Sequence, residues 1–272
     1  MSKSSAHSHT PAIVIFDVDG VIRDAASSHF RAMADTVVHF TDGVYCPTLE
    51  DIDILTAEGT WNNDWLASQE LIYRYFEGQG YSRGQIELNY EALVEFFEGC
   101  YWGQNSGSNL GYVYQETLLV DRDYFDQLKR FGIPWGFFTG TTRRSASYVL
   151  ESRLKLASPT IAAFEDGPGK PDPTNLLSVV NQLECVGRLD NSIPVIFVGD
   201  TTAEVETIHR SRLVVPDRKW LSIGVLPPHV QKADSTAQAY EKTLIEAGAN
   251  VVLQSVKELT PHMIVSLVDS KL

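Results

Sequence analysis

The first hydrophobic run of the chain is Ala12–Phe16, five consecutive apolar residues that end at an acid, Asp17. A short, unbroken, β-branched run is the pattern of a strand buried on both faces of a parallel sheet. After a long gap come Pro134–Phe138, Thr160–Phe164, Pro194–Val198 and Leu221–Val225, and a shorter run at Asn250–Leu253. Between them the apolar spacing turns helical, at Asp123–Phe131, Arg143–Leu154, Pro173–Leu183, Thr202–Ser211 and Thr236–Ala247. Strands alternating with helices of this length predict an α/β fold built on a doubly wound parallel sheet.

The gap reads as helices alone. Phe30, Met33, Val37 and Val38 share one face, and Thr48 with Asp51 predicts a helix start running to about Ala57. A further helix over Trp61–Glu77 carries Trp65, Leu66, Leu71, Ile72 and Phe76. Ser82 and Gln85 form a capping-box pattern ahead of a helix over Ile86–Phe97. The predicted organisation is a frayed tail over residues 1–10 (holding His7 and His9), an α/β core from 11–24 and 117–272, and an inserted all-helical domain over 25–116. Residues 105–111, NSGSNLG, are the most linker-like stretch.

Composition narrows the function classes. The 272 residues are 43% hydrophobic and 21% charged, which excludes a disordered or fibrous chain. A formal charge of −13 repels phosphate backbones and anionic lipid, so neither nucleic acid nor a membrane is the expected partner. Cys46, Cys100 and Cys185 show no C-x-x-C pairing, and the N-terminal apolar run is too short for a signal segment; both suit a cytoplasmic protein. Oligomeric state is not legible. The charge is concentrated: residues 25–116 hold 14 acids, three arginines (Arg31, Arg74, Arg83) and no lysine.

Open α/β sheets bind ligands at the carboxyl ends of their strands. After the first strand stands Asp17-Val18-Asp19-Gly20, two carboxylates that need a cation or proton between them, or else a turn cluster. After the second stands Thr139-Gly140-Thr141-Thr142, an anion cradle of hydroxyl and backbone N–H, or a simple helix cap. Beyond the third comes Gly169-Lys170-Pro171-Asp172-Pro173, where prolines stiffen the segment that holds Lys170. After the fourth comes Gly199-Asp200-Thr201-Thr202-Ala203-Glu204, two acids a helical turn apart. Each pattern is modest by itself. Together, in this order, they bring a nucleophile, a proton carrier, a cation clamp and a Mg²⁺ site to one end of the sheet.

The four segments FDVDGVI (16–22), FFTGT (137–141), GKPDP (169–173) and VGDTTAE (198–204) resemble the haloacid dehalogenase-like (HAD) superfamily. The helical insert looks like the cap of its subfamily I, and DGVIRD…WNNDW resembles a small clade of hypothetical phosphatases within it. The resemblance implies that Asp17 attacks phosphorus and that Asp19 protonates the leaving oxygen. It implies that Thr139, the Gly140 amide and Lys170 hold the phosphoryl oxygens. Mg²⁺ would be held by Asp17, the Asp19 carbonyl, Asp200 and, directly or through water, Glu204, which stands where the family often has Asp.

Asp19 argues for phosphate esters, because a halide leaving group needs no proton. Phosphonatases of the family that the chain resembles use a cap lysine as a Schiff base, so the lysine-free insert argues against that reading, and three arginines among 14 acids disfavour a phosphomutase. The expected activity is hydrolysis of a small-molecule phosphate monoester whose remainder is neutral or cationic. A phosphomutase, or a non-catalytic binding or regulatory protein on the same scaffold, is the alternative. Trp61, Asn62, Asn63 and Trp65 are candidate specificity residues, with tryptophans to stack on a ring and amides to bind hydroxyls, or else an Asn or Asp64 caps a helix and the tryptophans pack in the core of the insert. Arg23, just past the first motif, either reaches the substrate or pairs at the cap hinge.

Overall fold

The structure is a computed structural model that describes residues 10–48, 51–52, 54–55, 58, 61, 63–103 and 111–270. The tail with His7 and His9, the linker-like stretch before Gly111, and Asn62 lie outside the described residues.

Six strands form one parallel sheet: β1 (Ile13–Phe16), β4 (Trp135–Phe138), β5 (Ile161–Ala162), β6 (Val195–Gly199), β7 (Trp220–Val225) and β8 (Val251–Leu253). Two short strands flank the insert, β2 (Arg23–Asp24) and β3 (Thr117–Leu118). The order in the large sheet is β5-β4-β1-β6-β7-β8. Strand β1 pairs with β4 through Phe16 and Phe137, and with β6 through Phe16 and Val198. All four β1 residues are fully buried because the pleat sends alternate side chains to opposite faces. Val14 and Phe16 join the helices Arg122–Arg130 and Pro261–Asp269, whereas Ile13 and Ile15 pack with Leu176, Val179, Val180 and Ile208 from the other face. This is the doubly wound α/β architecture that the uninterrupted apolar runs predict.

The chain leaves β1 towards β4 and β5, then returns to β6 on the other side. That reversal between β1 and β6 is the topological switch point, where diverging loops open a crevice at the carboxyl ends.

Two compact units divide the chain: residues 1–24 with 118–272, and residues 25–117. Within the second, the helices Ala26–Phe40, Asp64–Gly78 and Tyr90–Trp102 pack on one another. Met33, Val37, Leu71, Ile72, Leu93 and Phe97 are buried. Among the described residues, no helix is long and apolar enough to cross a membrane.

Several predicted elements are corrected. Ser82 and Gln85 do form a capping box, but over a 3₁₀ turn, Arg83–Gln85. The following helix starts four residues later, where the Asn89 side chain accepts from Ala92 N. The helix expected over Arg143–Leu154 is α-helical only to Ser147 and continues as a π-turn, Tyr148–Arg153. Strand β5 stops at Ala162 because Asp166 draws the Ala163 N–H into a turn. Pro261–Asp269, a helix the apolar pattern did not predict, starts at a Thr260 N-cap followed by proline. Of the helix expected from Thr48 to Ala57, Thr48 lies ahead of the helical residues and its hydroxyl accepts from the Asp51 N–H at 3.2 Å, residues 51–52 and 54–55 are helical, and residues 49–50, 53 and 56–57 lie outside the described residues.

Candidate active site

Asp17 follows the last residue of β1, and its N–H donates to Val198 O at 2.8 Å, as if the strand continued. Its side chain is therefore delivered at the switch point, beside β6. Asp200 follows the last residue of β6 in the same way. Glu204 lies in the first turn of the helix Thr202–Val214. One carboxylate oxygen from each of Asp17, Asp200 and Glu204 lies within 4.8 Å of the others.

Lys170 enters this cluster from the loop before the helix Thr174–Gly187. Its Nζ is 2.8 Å from Asp17 Oδ2 and 2.5 Å from Glu204 Oε1. The ammonium also lies 5.9 Å from the ring centres of Phe138 and Phe197, residues of β4 and β6. Glu204 is held on its other oxygen, which accepts from the Thr201 N–H and the Thr201 hydroxyl at 2.9 and 2.6 Å. The T-x-x-E sequence thus caps its helix and aims a carboxylate at Lys170 in one arrangement.

Burial sets the electrostatics. It pushes the Asp17 carboxyl from an ordinary 3.8 up to about 6, although Lys170 pulls the other way. Burial, then Glu204 and Asp17, push Asp200 well above its usual range. Burial raises Glu204 too, but Lys170 and Thr201 overcome it and hold this carboxyl below its usual value. Burial alone would lower Lys170; Asp17 and Glu204 keep it above its ordinary value. Three acids facing one lysine leave the cluster short of positive charge. An all-oxygen donor set of this kind fits a hard divalent cation.

The second half of the site comes from the loops after β1 and β4. Asp19 Oδ1 accepts from Arg23 Nε at 2.5 Å, and its charge adds to the upward push on Asp17 and Asp200. Arg23 Nη2 reaches Thr141 Oγ1 at 3.4 Å, and Thr141 N donates to Thr139 Oγ1 at 3.2 Å. Thr139 is buried, with its own N–H bonded to Ala162 O, while Gly140 is exposed. Two sets of contacts result: Lys170 with Asp17 and Glu204, beside Asp200, and Arg23 with Asp19 and Thr141, which in turn bonds Thr139. Thr141 and Thr201 were not singled out by sequence reasoning, although both stand inside its motifs. Tyr240 was missed altogether; burial, followed by Asp200 and Glu204, raises its phenol.

The remaining candidates lie in the helical unit. Trp61 Nε1 donates to Glu58 at 2.9 Å. Asn63 is the N-cap of Asp64–Gly78, its oxygen accepting from Trp65 N and Leu66 N. Trp65 is half-buried.

Residues 11–211 match the family model for "Hydrolase: haloacid dehalogenase-like hydrolase". The chain belongs to the haloacid dehalogenase-like hydrolases. Solved HAD-fold structures overlay on it along most of its length. A phosphonoacetaldehyde hydrolase like protein from Oleispira antarctica is 20% identical with a TM-score of 0.67, covering 98% of this chain and 96% of that one. Phosphatase Tt82 from Thermococcus thioreducens is 19% identical with a TM-score of 0.60, covering 78% and 92%. A family IA HAD hydrolase from Entamoeba histolytica is 14% identical with a TM-score of 0.61, covering 95% and 100%. At these identities the likeness is one of fold. A curated relative, the imidazoleglycerol-phosphate dehydratase of Phytophthora nicotianae, is 29% identical over 246 residues. The match takes in 88% of this chain but 49% of the relative, so the chain spans about half the length of that protein.

Proposed function

We propose that this HAD hydrolase is a phosphatase that cleaves a small phosphate monoester through an aspartyl phosphate on Asp17. The contact that carries the reading is Lys170 Nζ at 2.8 Å from Asp17 Oδ2. It holds a cation beside the nucleophile, where the transferred phosphoryl group must be neutralised. In the first step an Asp17 oxygen bonds to phosphorus, the bond to the leaving oxygen breaks, and Asp19 gives that oxygen its proton. In the second, Asp19 takes a proton from water, the water oxygen bonds to phosphorus, and the Asp17–phosphorus bond breaks to release inorganic phosphate. The Thr139 hydroxyl and Gly140 amide hold phosphoryl oxygens throughout. Mg²⁺, held by Asp17, Asp200, Glu204 and the Asp19 main-chain carbonyl, would supply further positive charge for the phosphoryl oxygens.

We read the helical unit as the part that selects substrate, with Trp61, Asn63 and Trp65 as its candidates. Its arginines are already engaged. Arg74 pairs with Glu58 and Glu70, Arg83 with Glu70 and Glu77, and Arg31 bonds Gln115 and stacks on Tyr112. That disfavours a phosphomutase, which must grip a second phosphate. The unit holds no lysine for a Schiff base, which separates the chain from phosphonate chemistry despite the fold it shares with the Oleispira protein. The Phytophthora relative is named for a small phosphate monoester that carries an imidazole ring. A remainder of that kind, neutral or cationic, suits an acidic selecting unit. The three cysteines are all free, which suits a cytoplasmic enzyme.

Turnover of p-nitrophenyl phosphate with Mg²⁺, its loss in EDTA, and its abolition by Asp17→Asn in a folded protein test the reading. Undiminished turnover by Asp17→Asn would overturn it.

A further inference from the structure

Arg23 has no solvent exposure, and it is the largest fully buried side chain among the described residues. A guanidinium in that position needs partners. The loop after Asp17 provides one by folding back tightly. Ile22 N and Arg23 N both donate to Val18 O, at 2.8 and 3.1 Å, and Gly20 N donates to Arg23 O at 2.9 Å. Residue 23 is thereby returned to residue 19, and Nε meets Asp19 Oδ1 at 2.5 Å. On its other side Nη2 reaches Thr141 Oγ1, whose residue in turn bonds Thr139.

The sequence left open substrate contact or a pair at the cap hinge; the geometry instead pairs Arg23 with Asp19 of the first motif. We propose that Arg23 is the positioning residue for proton transfer: it anchors one oxygen of the Asp19 carboxylate and ties it to the loop that carries Thr139. The proposal rests on the phosphatase reading, in which Asp19 moves the proton. The Asp19 carboxylate is about one-third exposed, so packing alone does not fix its direction. Anchored at Oδ1, it meets the leaving oxygen and then the water from one direction, so no orientation has to be found during the reaction. The planar guanidinium suits this task because it can bond two groups at fixed angles. Arg23 touches neither phosphorus nor the leaving group; it acts through Asp19.

The test is a double-mutant cycle of Arg23→Met and Asp19→Asn in the full chain with Mg²⁺. Each variant is assayed on p-nitrophenyl phosphate, whose leaving group needs little protonation, and on glycerol 2-phosphate, whose alkoxide needs it. The expected result on glycerol 2-phosphate is a fall in kcat of about 10–100-fold for Arg23→Met with KM held within about threefold, less than the full loss of a proton carrier. The loss on p-nitrophenyl phosphate is smaller. In the Asp19→Asn background Arg23→Met changes kcat by less than about twofold, because its partner no longer acts. Arg23→Lys, which keeps the charge in the same space, recovers part of the loss; if Arg23→Met does not fold, Arg23→Lys completes the cycle. Losses that multiply in the double variant, that are equal on both esters, or that fall on KM would overturn the proposal while leaving the phosphatase reading intact. A wild-type protein inert on both esters would overturn that reading and this proposal with it.

Discussion

A Cβ placed on Gly20 would lie 2.0 Å from Oδ2 of Asp200. The loop after β1 therefore passes Asp200 at a distance that only glycine permits, and at φ +74°, a backbone conformation that L side chains rarely adopt. Gly20→Ala is expected to cost about 1–2 kcal/mol in backbone strain. The larger effect is displacement of Asp200 from Asp17 and Glu204. Turnover should fall by about 100-fold, and the Mg²⁺ concentration giving half-maximal rate should rise with it. An unchanged Mg²⁺ requirement would show that Asp200 is not set by this contact.

Lys170 balances three acids. Lys170→Met leaves Asp17 and Glu204 facing each other in a buried cluster without their cation. Removing one partner of a buried pair typically costs about 3–5 kcal/mol. The expected outcome is a lower denaturation midpoint in EDTA, partly restored by Mg²⁺, with turnover lost in both conditions. A midpoint in EDTA equal to wild type would contradict the electrostatic account.

Why so much of this site is legible in the sequence follows from where its residues stand. Asp17, Thr139 and Asp200 each follow a strand buried on both faces, and such strands leave an unbroken apolar run that ends abruptly in a polar residue. Lys170 is marked by the prolines beside it. Arg23 was legible as a residue but not in its role, because whether a guanidinium points out or folds back onto residue 19 depends on the turn at Val18–Gly20, and hydrophobic periodicity carries no information about that turn. The same limit explains β5. Phe164 extends the apolar run but is 48% exposed, since Asp166 captures the Ala163 N–H and turns the chain out of the sheet. The helix Tyr90–Trp102 began later than expected for a related reason. Ser82-Arg83-Gly84-Gln85 makes a good cap over a poor helix former, and Asn89 offers a second cap four residues ahead of a richer apolar face.

The raised acids give a pH dependence with a definite sign. Between the ordinary 3.8 and about 6, folded Asp17 holds a proton that the unfolded chain has released. Stability contributed by this group therefore falls as pH rises through that window. Asp200 is shifted in the same direction, while Glu204 is shifted oppositely, with its window below its ordinary value. Mg²⁺ competes with those protons, so its stabilising effect should grow as they leave. Melting temperatures in EDTA and in Mg²⁺ at pH 5 and pH 7.5 should show the larger Mg²⁺ increment at pH 7.5, and Asp17→Asn should shrink that difference. An increment that is equal or larger at pH 5 would mean that these carboxylates are not the groups Mg²⁺ binds.

The acidity of residues 25–116 sets a last expectation, about substrate. With 14 acids against three arginines, and with Arg74 and Arg83 already held by Glu58, Glu70 and Glu77, a unit that selects substrate as proposed would repel a polyanionic leaving group and offer it little to bind. Among phosphate esters of similar size, kcat/KM should therefore be highest for monophosphates with a neutral or cationic remainder, and lowest for nucleoside diphosphates and sugar bisphosphates. Because the effect is a long-range field, raising salt should narrow the gap, since the screening length is about 10 Å at 0.1 M and about 3 Å at 1 M. Replacing several exposed acids of the unit, such as Glu87, Glu91 and Glu95, by glutamine should narrow it too. A panel in which bisphosphates lead, or in which salt leaves the order and the ratios unchanged, would show that these acids only solvate helix surfaces.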